Sequence, residues 1–203
     1  MTVAALFVQD GGAYYGLPDV DPWPEARDAR LYAGPWPVVA HPPCNVWSYM
    51  APINAARWGS PIDDDDGLFV SALASVRHWG GVLEHPCASR AWPTYGLPRP
   101  HAAGGWQMGL CGGWVCQVEQ GHYGHPARKK TWLYAYGLTP PDLAWGPGPE
   151  PTAIISRRQG VTAEDYAAKG LRQLCGKDAS ATPMPFRDIL IGMARTASVR
   201  RAA

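Results

Sequence analysis

Residues 37–48 read PVVAHPPCNVWS, and this stretch decides the fold prediction. The apolar run over 37–40 is typical of a short buried strand, and the HPP that follows stops it. Two prolines directly after a strand hold the chain in a fixed extended turn, so Cys44 is presented rigidly at the strand end. A cysteine at such a point is either a nucleophile in a polar, partly open pocket or a buried free thiol. The segment alone does not choose between the two.

Short apolar runs that predict buried strands also occur on both sides of this stretch. Residues 3–8 (VAALFV) predict a buried strand upstream, and residues 81–84 (GVLE) predict another downstream. Between them, residues 67–79 carry apolar side chains at helical spacing. Four aspartates over 63–66 precede that helix, where its dipole favours anions, so a helix start is preferred to a metal site. The remaining predicted elements are strands over 115–119 and 131–136 and helices over 163–174 and 185–196.

Strands that alternate with loops and a helix predict a Rossmann-like α/β fold, with a mostly parallel sheet flanked by helices. The paired strands near 115–136 predict an antiparallel edge. We expect one domain over 1–203, with a Pro/Gly-rich loop over 137–160 and a flexible tail over 197–203. Ligands of such sheets bind at the carboxyl ends of the strands. The segments expected on that rim are 41–48, 84–89 and part of 121–130.

Composition limits the classes of partner. The net charge of +1 gives no broad basic surface for nucleic acid, and the basic residues gather locally over 128–130 and in the tail. The five cysteines are an odd number, no signal peptide opens the chain, and no run of about 18 apolar residues exists. We therefore expect free thiols in a reducing cytoplasm and no membrane partner.

A carboxyl group ends the third predicted strand. Glu84 lies at the end of an apolar run, and Pro86 follows it closely. Burial there should raise the pKa of Glu84 and let it hold or deliver a proton. The alternatives are a cap on the neighbouring helix or an ion pair with Arg90.

The cysteine segment resembles the catalytic loop of the C5-cytosine methyltransferases. That loop reads Pro-Pro-Cys, two residues, an aromatic residue and Ser, and here Pro42, Pro43, Cys44, Trp47 and Ser48 match it in order.

The carboxyl segment resembles the second signature of the same family, which reads Glu-Asn-Val or a variant. Glu84 follows Cys44 by 40 residues with a predicted helix between, and His85-Pro86 replaces Asn-Val. Residues 120–131 (QGHYGHPARKKT) resemble the signature with Gln, an aromatic residue and Gly, Pro, and a basic-x-basic run. Residues 180–183 (SATP) resemble the closing signature, which packs beside the cofactor.

The resemblance implies a covalent mechanism. Cys44 would attack C6 of a pyrimidine, and Glu84 would bind N3 and share a proton with it, so that C5 attacks a one-carbon donor. Arg128 or Lys130 would steady the base and Glu84. The residues implied to bind the substrate are Pro42, Pro43, Ser48, His85 and Gln120.

The cofactor implied by the resemblance is S-adenosylmethionine. The family opens with a strand ending in Asp-Leu-Phe and a Gly-rich loop, whereas here Ala5 and Gln9 stand where Asp and the first Gly are expected. Asp21 and Asp28 also fit ordinary roles at a turn and a helix start. The residues implied to bind the cofactor are Phe7, Gly11, Gly12, Asp21, Asp28, Ala181 and Thr182.

The expected partner is nucleic acid, DNA first, or a free pyrimidine nucleotide. Fewer than fifty residues separate the strand over 131–136 from residue 180, where the family carries a large target-recognition region. This predicts weak sequence specificity, a single-stranded or free substrate, or recognition by a partner protein.

Two alternatives remain open. A zinc-dependent nucleobase enzyme would use Cys and His ligands, although its Pro-Cys-x-x-Cys motif is missing. The candidate ligands from the rim are His41, Cys44, His85, Cys87, His122 and His125. The other alternative is a catalytically inactive methyltransferase-like protein that binds nucleic acid.

Overall fold

A seven-stranded mixed sheet forms the centre of the protein. The structure, a computed structural model, describes residues 1–48, 50–59, 61–156 and 160–198. The strands of this sheet are β1 Val3–Leu6, β2 Val20–Trp23, β3 Val38–Ala40, β4 Gly81–Pro86, β5 Gln107–Met108, β6 Trp114–Glu119 and β7 Lys130–Tyr136. A separate parallel pair consists of β8 Ala153–Ile154 and β9 Arg172–Gln173. The helices are α1 Ala51–Trp58, α2 Leu68–Trp79, α3 Ala91–Thr94, α4 Ala163–Ala167, α5 Gly176–Ser180 and α6 Met184–Arg195.

The strand order is β2-β1-β3-β4-β7-β6-β5. The first four strands in this order are parallel, β7 runs antiparallel to both β4 and β6, and β5 runs antiparallel to β6. The predicted α/β class and antiparallel edge are therefore confirmed. Two strands run against the others: β7, which lies inside the sheet between β4 and β6, and the two-residue β5 at the outer edge.

The central strands are apolar because both faces of the sheet are covered. Every residue of β1 and β3 is buried, which is why these strands are short continuous apolar runs without polar alternation. Helix α2 packs on one face through a group that includes Phe69, and α6 packs on the other through a group that includes Phe186. At Gly81, an added Cβ would lie 1.9 Å from the carbonyl oxygen of Val38, so the approach of β4 to β3 requires glycine.

Side chains of β4 alternate between these two faces. Leu83 packs in the α2 core and Val82 in the α6 core, so Glu84 faces the α6 side and His85 the α2 side. His85 accordingly packs against the ring of Phe69, with a centroid separation of 5.1 Å. Glu84 and His85, although adjacent in sequence, therefore lie on opposite faces of the sheet.

The acidic run before α2 is a helix start, as predicted. The Asp65 carboxylate accepts hydrogen bonds from the backbone N–H of Phe69 (2.8 Å) and from the Trp47 indole N–H (2.7 Å). Asp65 therefore ties the segment after Cys44 to the first turn of the helix.

The helix predicted over 163–174 is wrong beyond its first turns. Helix α4 ends at Ala167, Gly170 takes a left-handed φ of 70°, and β9 follows. Of the predicted loop over 137–160, residues 157–159 lie outside the described residues, and of the predicted tail, 199–203 do. Ser198 is tied to the fold, since its N–H donates to the carbonyl of Gly137. No helix in the described ranges combines the length and apolarity needed to cross a bilayer.

Candidate functional site

The order of the strands reverses between β1 and β3. The chain passes from β1 outward to β2 and then returns to β3 on the other side of β1, so the loops after β1 and β3 diverge. Ligands of open α/β sheets bind at such a point, outside the carboxyl ends of the strands. Strands β4 and β6 end at the same edge because they run parallel to β3. This edge, called the rim below, consists of residues 7–15, 41–48, 84–87 and 119–130.

Glu84 is the central polar group of the rim. Its residue is 8% exposed, and both carboxylate oxygens accept hydrogen bonds. His41 Nδ1 lies 2.9 Å from Oε2, and Gln120 Nε2 lies 3.1 Å from Oε1. Gln120 is itself anchored through a 2.8 Å hydrogen bond to the Thr131 hydroxyl.

These contacts overturn the expectation that the pKa of Glu84 is raised. Burial alone would raise it, but the hydrogen bond from His41 and the electrostatic effects of His41, Lys129 and His85 together outweigh burial. The pKa of Glu84 falls from 4.5 to about 2. The carboxylate is therefore ionised at neutral pH and accepts hydrogen bonds without having a proton of its own to deliver.

His41 connects three segments of the rim. Its backbone N–H donates to the carbonyl of Leu6 in β1, and its ring lies between Glu84 and the hydroxyl of Tyr14, which is 2.7 Å from Nε2. Burial, followed by the negative charge of Glu84, raises the pKa of Tyr14 well above its usual value, so the phenol stays protonated. No sequence pattern pointed to Tyr14.

The cation beside Glu84 is Lys129, which falls between the two predicted residues. Its ammonium donates to the carbonyls of Ser180 (2.8 Å) and Ala181 (2.9 Å). Burial lowers the pKa of Lys129, while the neighbouring Glu84 and Cys44 act in the opposite direction.

The predicted cations Arg128 and Lys130 serve other contacts. Arg128 pairs with Glu150 at 3.1 Å and lies 3.5 Å from a carboxylate oxygen of Glu119. Lys130 is exposed at the start of β7, where its charge acts on the pKa of Cys87. The assignment of the steadying cation therefore moves to Lys129.

Cys44 is half-buried on the loop after β3. Its carbonyl accepts from the backbone N–H groups of Trp47 (3.1 Å) and Ser48 (2.9 Å), which closes a tight turn behind the sulfur. Burial and the nearby Glu84 charge raise the pKa of the thiol, and Lys129 opposes this increase. The resting group is a thiol, and neutralising Glu84 would favour the thiolate.

The residues predicted to bind substrate differ in how exposed they are at the rim. Pro43 is exposed and Ser48 half-buried, whereas Pro42 is buried beneath the turn. His85 is fully buried, and its ring stacks on Trp92 with a centroid separation of 6.2 Å. His85 therefore packs in the core next to the rim. Gln120, also fully buried, orients Glu84.

A cavity of about 880 Å³ lies beside the strand-order reversal. Three of the residues that line it take left-handed backbone conformations without being glycine: Phe7 (φ 57°), Asp28 (φ 47°) and Asp66 (φ 56°). Such conformations cost energy and cluster at ligand sites. Pro43, next to Cys44, also lines this cavity, so it opens toward the thiol segment.

The predicted cofactor residues are divided between this cavity and other places. Asp28 lines the cavity but pairs with Arg30 through both oxygens, and Asp21 pairs with Arg27 outside it. Gly12 closes a turn with its N–H on the carbonyl of Gln9, and an added Cβ there would lie 2.8 Å from that oxygen. The glycine pair with Gly11 therefore serves the turn, which explains it without a ligand. Ala181 and Thr182 lie on the Lys129 side of the rim.

The alternative metal site is not assembled. Within the described ranges, no three His, Cys, Asp or Glu side chains converge to hold an ion. His41 is engaged by Tyr14 and Glu84 on the α6 side, whereas His85 lies on the α2 side. The other candidates have separate partners: Cys87 donates to Gln117, His122 contacts the carbonyl of Gly146, and His125 contacts the carbonyl of Ala127.

Comparison with known proteins adds no relative: no family model and no curated protein matches the chain.

Proposed function

We propose that the protein is a C5-cytosine methyltransferase-like enzyme with a Rossmann-like fold, which modifies C5 of a pyrimidine through a covalent adduct at Cys44. The observation that carries the proposal is that Cys44 follows β3, Glu84 lies near the end of β4 and Lys129 directly precedes the antiparallel β7, so that all three belong to the same edge of the sheet. A thiol, a carboxylate and an ammonium within mutual electrostatic range are the groups that nucleophilic attack on a pyrimidine requires.

All substrate bonds that form and break in the proposed reaction involve one pyrimidine ring. The thiol of Cys44 loses its proton to water and its sulfur adds to C6, while N3 takes up a proton from water and Glu84 binds the resulting N3–H. C5 then takes up a methyl group and gives its own proton to water. The Cys44 thiolate leaves to restore the C5–C6 double bond, and N3 returns its proton to water. Binding of the ring at Glu84 partly neutralises that carboxylate, which removes the repulsion that raises the pKa of Cys44. Attack is thereby coupled to substrate binding.

The cavity of about 880 Å³ fits S-adenosylmethionine in size and charge. Glu25, Asp64 and Asp66 line it, and carboxylates suit the amino group, the sulfonium and the ribose hydroxyls of this cofactor. Arg30 also lines the cavity, where it pairs with Asp28 and Asp66, and it suits the carboxylate of the cofactor. S-adenosylmethionine supplies an electrophilic methyl group, and the residues of this cavity would orient it toward Pro43 and the thiol segment.

The proposed substrate is a pyrimidine that is already exposed, in single-stranded DNA or a nucleotide. Between β7 and α6, the described part of the chain forms only β8, β9 and two five-residue helices. Flipping a base out of a duplex requires surface that holds the gap open, and these elements offer little of it.

The experiment is covalent trapping. The protein, S-adenosylmethionine and a single-stranded oligonucleotide with one 5-fluorocytosine are mixed, and the adduct is measured by intact mass, because fluorine at C5 blocks release. The wild type and Cys87→Ser should form the adduct, and Cys44→Ser should form none. Cys87 is the matched control, since it is also half-buried but donates to Gln117 away from Glu84. An adduct that survives Cys44→Ser, or its absence in the wild type, refutes the proposal.

Cofactor binding is tested separately by calorimetry. Glu25→Lys reverses the charge of an exposed cavity residue and should weaken binding of S-adenosylmethionine, whereas Glu150→Lys, on the far side of Arg128, should not. Absence of heat with the wild type would remove this donor from the proposal.

A further inference from the structure

Two buried side chains, Tyr14 and Glu84, are joined by the partly buried His41 in a hydrogen-bonded chain whose direction can be assigned. The hydroxyl of Tyr14, a residue 3% exposed, lies 2.7 Å from His41 Nε2. A buried hydroxyl hydrogen without an acceptor is costly, so Tyr14 donates to Nε2. An accepting Nε2 carries no hydrogen, which leaves the hydrogen of the neutral ring on Nδ1. His41 Nδ1 therefore donates to Glu84 Oε2 across 2.9 Å.

The second oxygen of Glu84 is also met by a donor. Gln120 Nε2 donates to Oε1, and its bond to the Thr131 hydroxyl keeps the amide from swinging away. Both oxygens therefore accept, and each keeps a further lone pair for a ligand. Glu84 can therefore bind the edge of a ring that presents hydrogen-bond donors.

The charges around this chain favour the same state. Burial opposes ionisation of Glu84, yet its pKa of about 2 keeps it ionised throughout the neutral range. The charged or titratable groups that act on the chain from the surrounding elements are Cys44, His85, Lys129, Arg187 and Asp188.

The two natural pyrimidine edges differ at N3. Cytosine presents a lone pair at N3 beside a donating amino group, whereas uracil presents N3–H. A carboxylate repels the N3 lone pair of cytosine and accepts from N3–H of uracil. Cytosine fits Glu84 only after N3 has gained a proton, and it then offers two parallel donors.

We propose that His41, held by Tyr14, is a positioning residue that keeps Glu84 a pure acceptor, so that cytosine takes up one proton from solvent as it binds. This rests on the proposed function. The proton becomes bound to N3, the ring gains one positive charge against the carboxylate, and C6 becomes more electrophilic toward Cys44. Uracil binds at the same place without proton uptake.

The test measures tritium release from C5 of cytosine or uracil, each in a single-stranded oligonucleotide, between pH 6 and pH 8. Both rates depend equally on the Cys44 thiolate, so their ratio isolates protonation of the ring. For the wild type, the cytosine-to-uracil ratio should fall about tenfold per pH unit, because only cytosine needs a proton.

Variants separate positioning from packing. His41→Asn keeps an N–H near the Nδ1 position and should retain this slope. His41→Leu removes the donor, so burial raises the pKa of Glu84, the carboxyl carries its own proton, and the ratio should lose its pH dependence. Tyr14→Phe frees Nε2 to carry the ring hydrogen and should flatten the ratio even if His41→Leu does not fold.

The outcomes are distinct. A wild-type ratio without pH dependence, the full slope in Tyr14→Phe or in a folded His41→Leu, or release from cytosine alone overturns the role of His41 and leaves the covalent proposal standing. Release from neither ring at any pH refutes the covalent proposal and this inference together.

Discussion

Glu84→Gln should lower the free energy of unfolding by about 3 kcal/mol at neutral pH. Folding lowers the pKa of this carboxyl from 4.5 to about 2, and each pKa unit corresponds to about 1.4 kcal/mol. Because the pKa is lowered on folding, the contribution is fully present above pH 4.5 and is lost as the pH falls toward 2. Glutamine keeps the size of the side chain and an acceptor for His41, and Gln120 can reverse its amide, since its oxygen otherwise lacks a partner.

The assay is urea unfolding followed by tryptophan fluorescence at pH 7, 5 and 3. The difference between the wild type and Glu84→Gln should be similar at pH 7 and 5 and clearly smaller at pH 3. Glu150→Gln removes an exposed carboxylate paired with Arg128 and should change stability by less than about 0.5 kcal/mol. If the difference in unfolding free energy between the wild type and Glu84→Gln stays constant down to pH 3, the conclusion that Glu84 is ionised and paired is refuted.

Three further changes test the surroundings of the rim. Gly81→Ala should destabilise the protein by more than about 3 kcal/mol in urea unfolding, because its Cβ would lie 1.9 Å from a carbonyl of β3; wild-type stability would contradict the close packing. Asp65→Ala should cost about 2–3 kcal/mol, since it leaves a buried indole N–H without an acceptor, and an unchanged unfolding midpoint would count against that bond. Lys129→Met should slow iodoacetamide alkylation of Cys44 at pH 8, because the cation that lowers the pKa of the thiol is gone, whereas Lys130→Met should not; equal rates in both would remove Lys129 from the site.

Much of the fold could be predicted from local patterns. The strands β1, β3 and β4 and the helices α2 and α6 lie within two residues of their predicted bounds at most ends, because strong apolar runs or one-sided helical spacing mark them. β2 was not predicted, since its four residues VDPW are half-buried and carry no apolar run. The position of β7 between β4 and β6 depends on long-range pairing, which no local pattern encodes.

The residues of the site also fall into two groups: those that local sequence patterns predict, and those whose positions depend on long-range contacts. In the sequence, Cys44 follows one apolar run and Glu84 ends another, so the rule for strand ends predicts their common edge. Lys129 could not be chosen over its neighbours without the register of β7. Glu84 pairs with Leu133, so odd-numbered residues of β7 share its face, and Lys129 continues that row. Tyr14 reaches His41 from an irregular segment in which no periodicity operates.

The anchoring of Lys129 on the carbonyls of residues 180 and 181 also orders events during synthesis. Cys44 and Glu84 leave the ribosome before Lys129, and Lys129 acquires its anchor only after residue 181 has emerged. A nascent chain therefore carries an incomplete charge balance around Glu84. The full set of charges around Glu84 is therefore established only after residues 180 and 181 have been synthesised and have packed against Lys129.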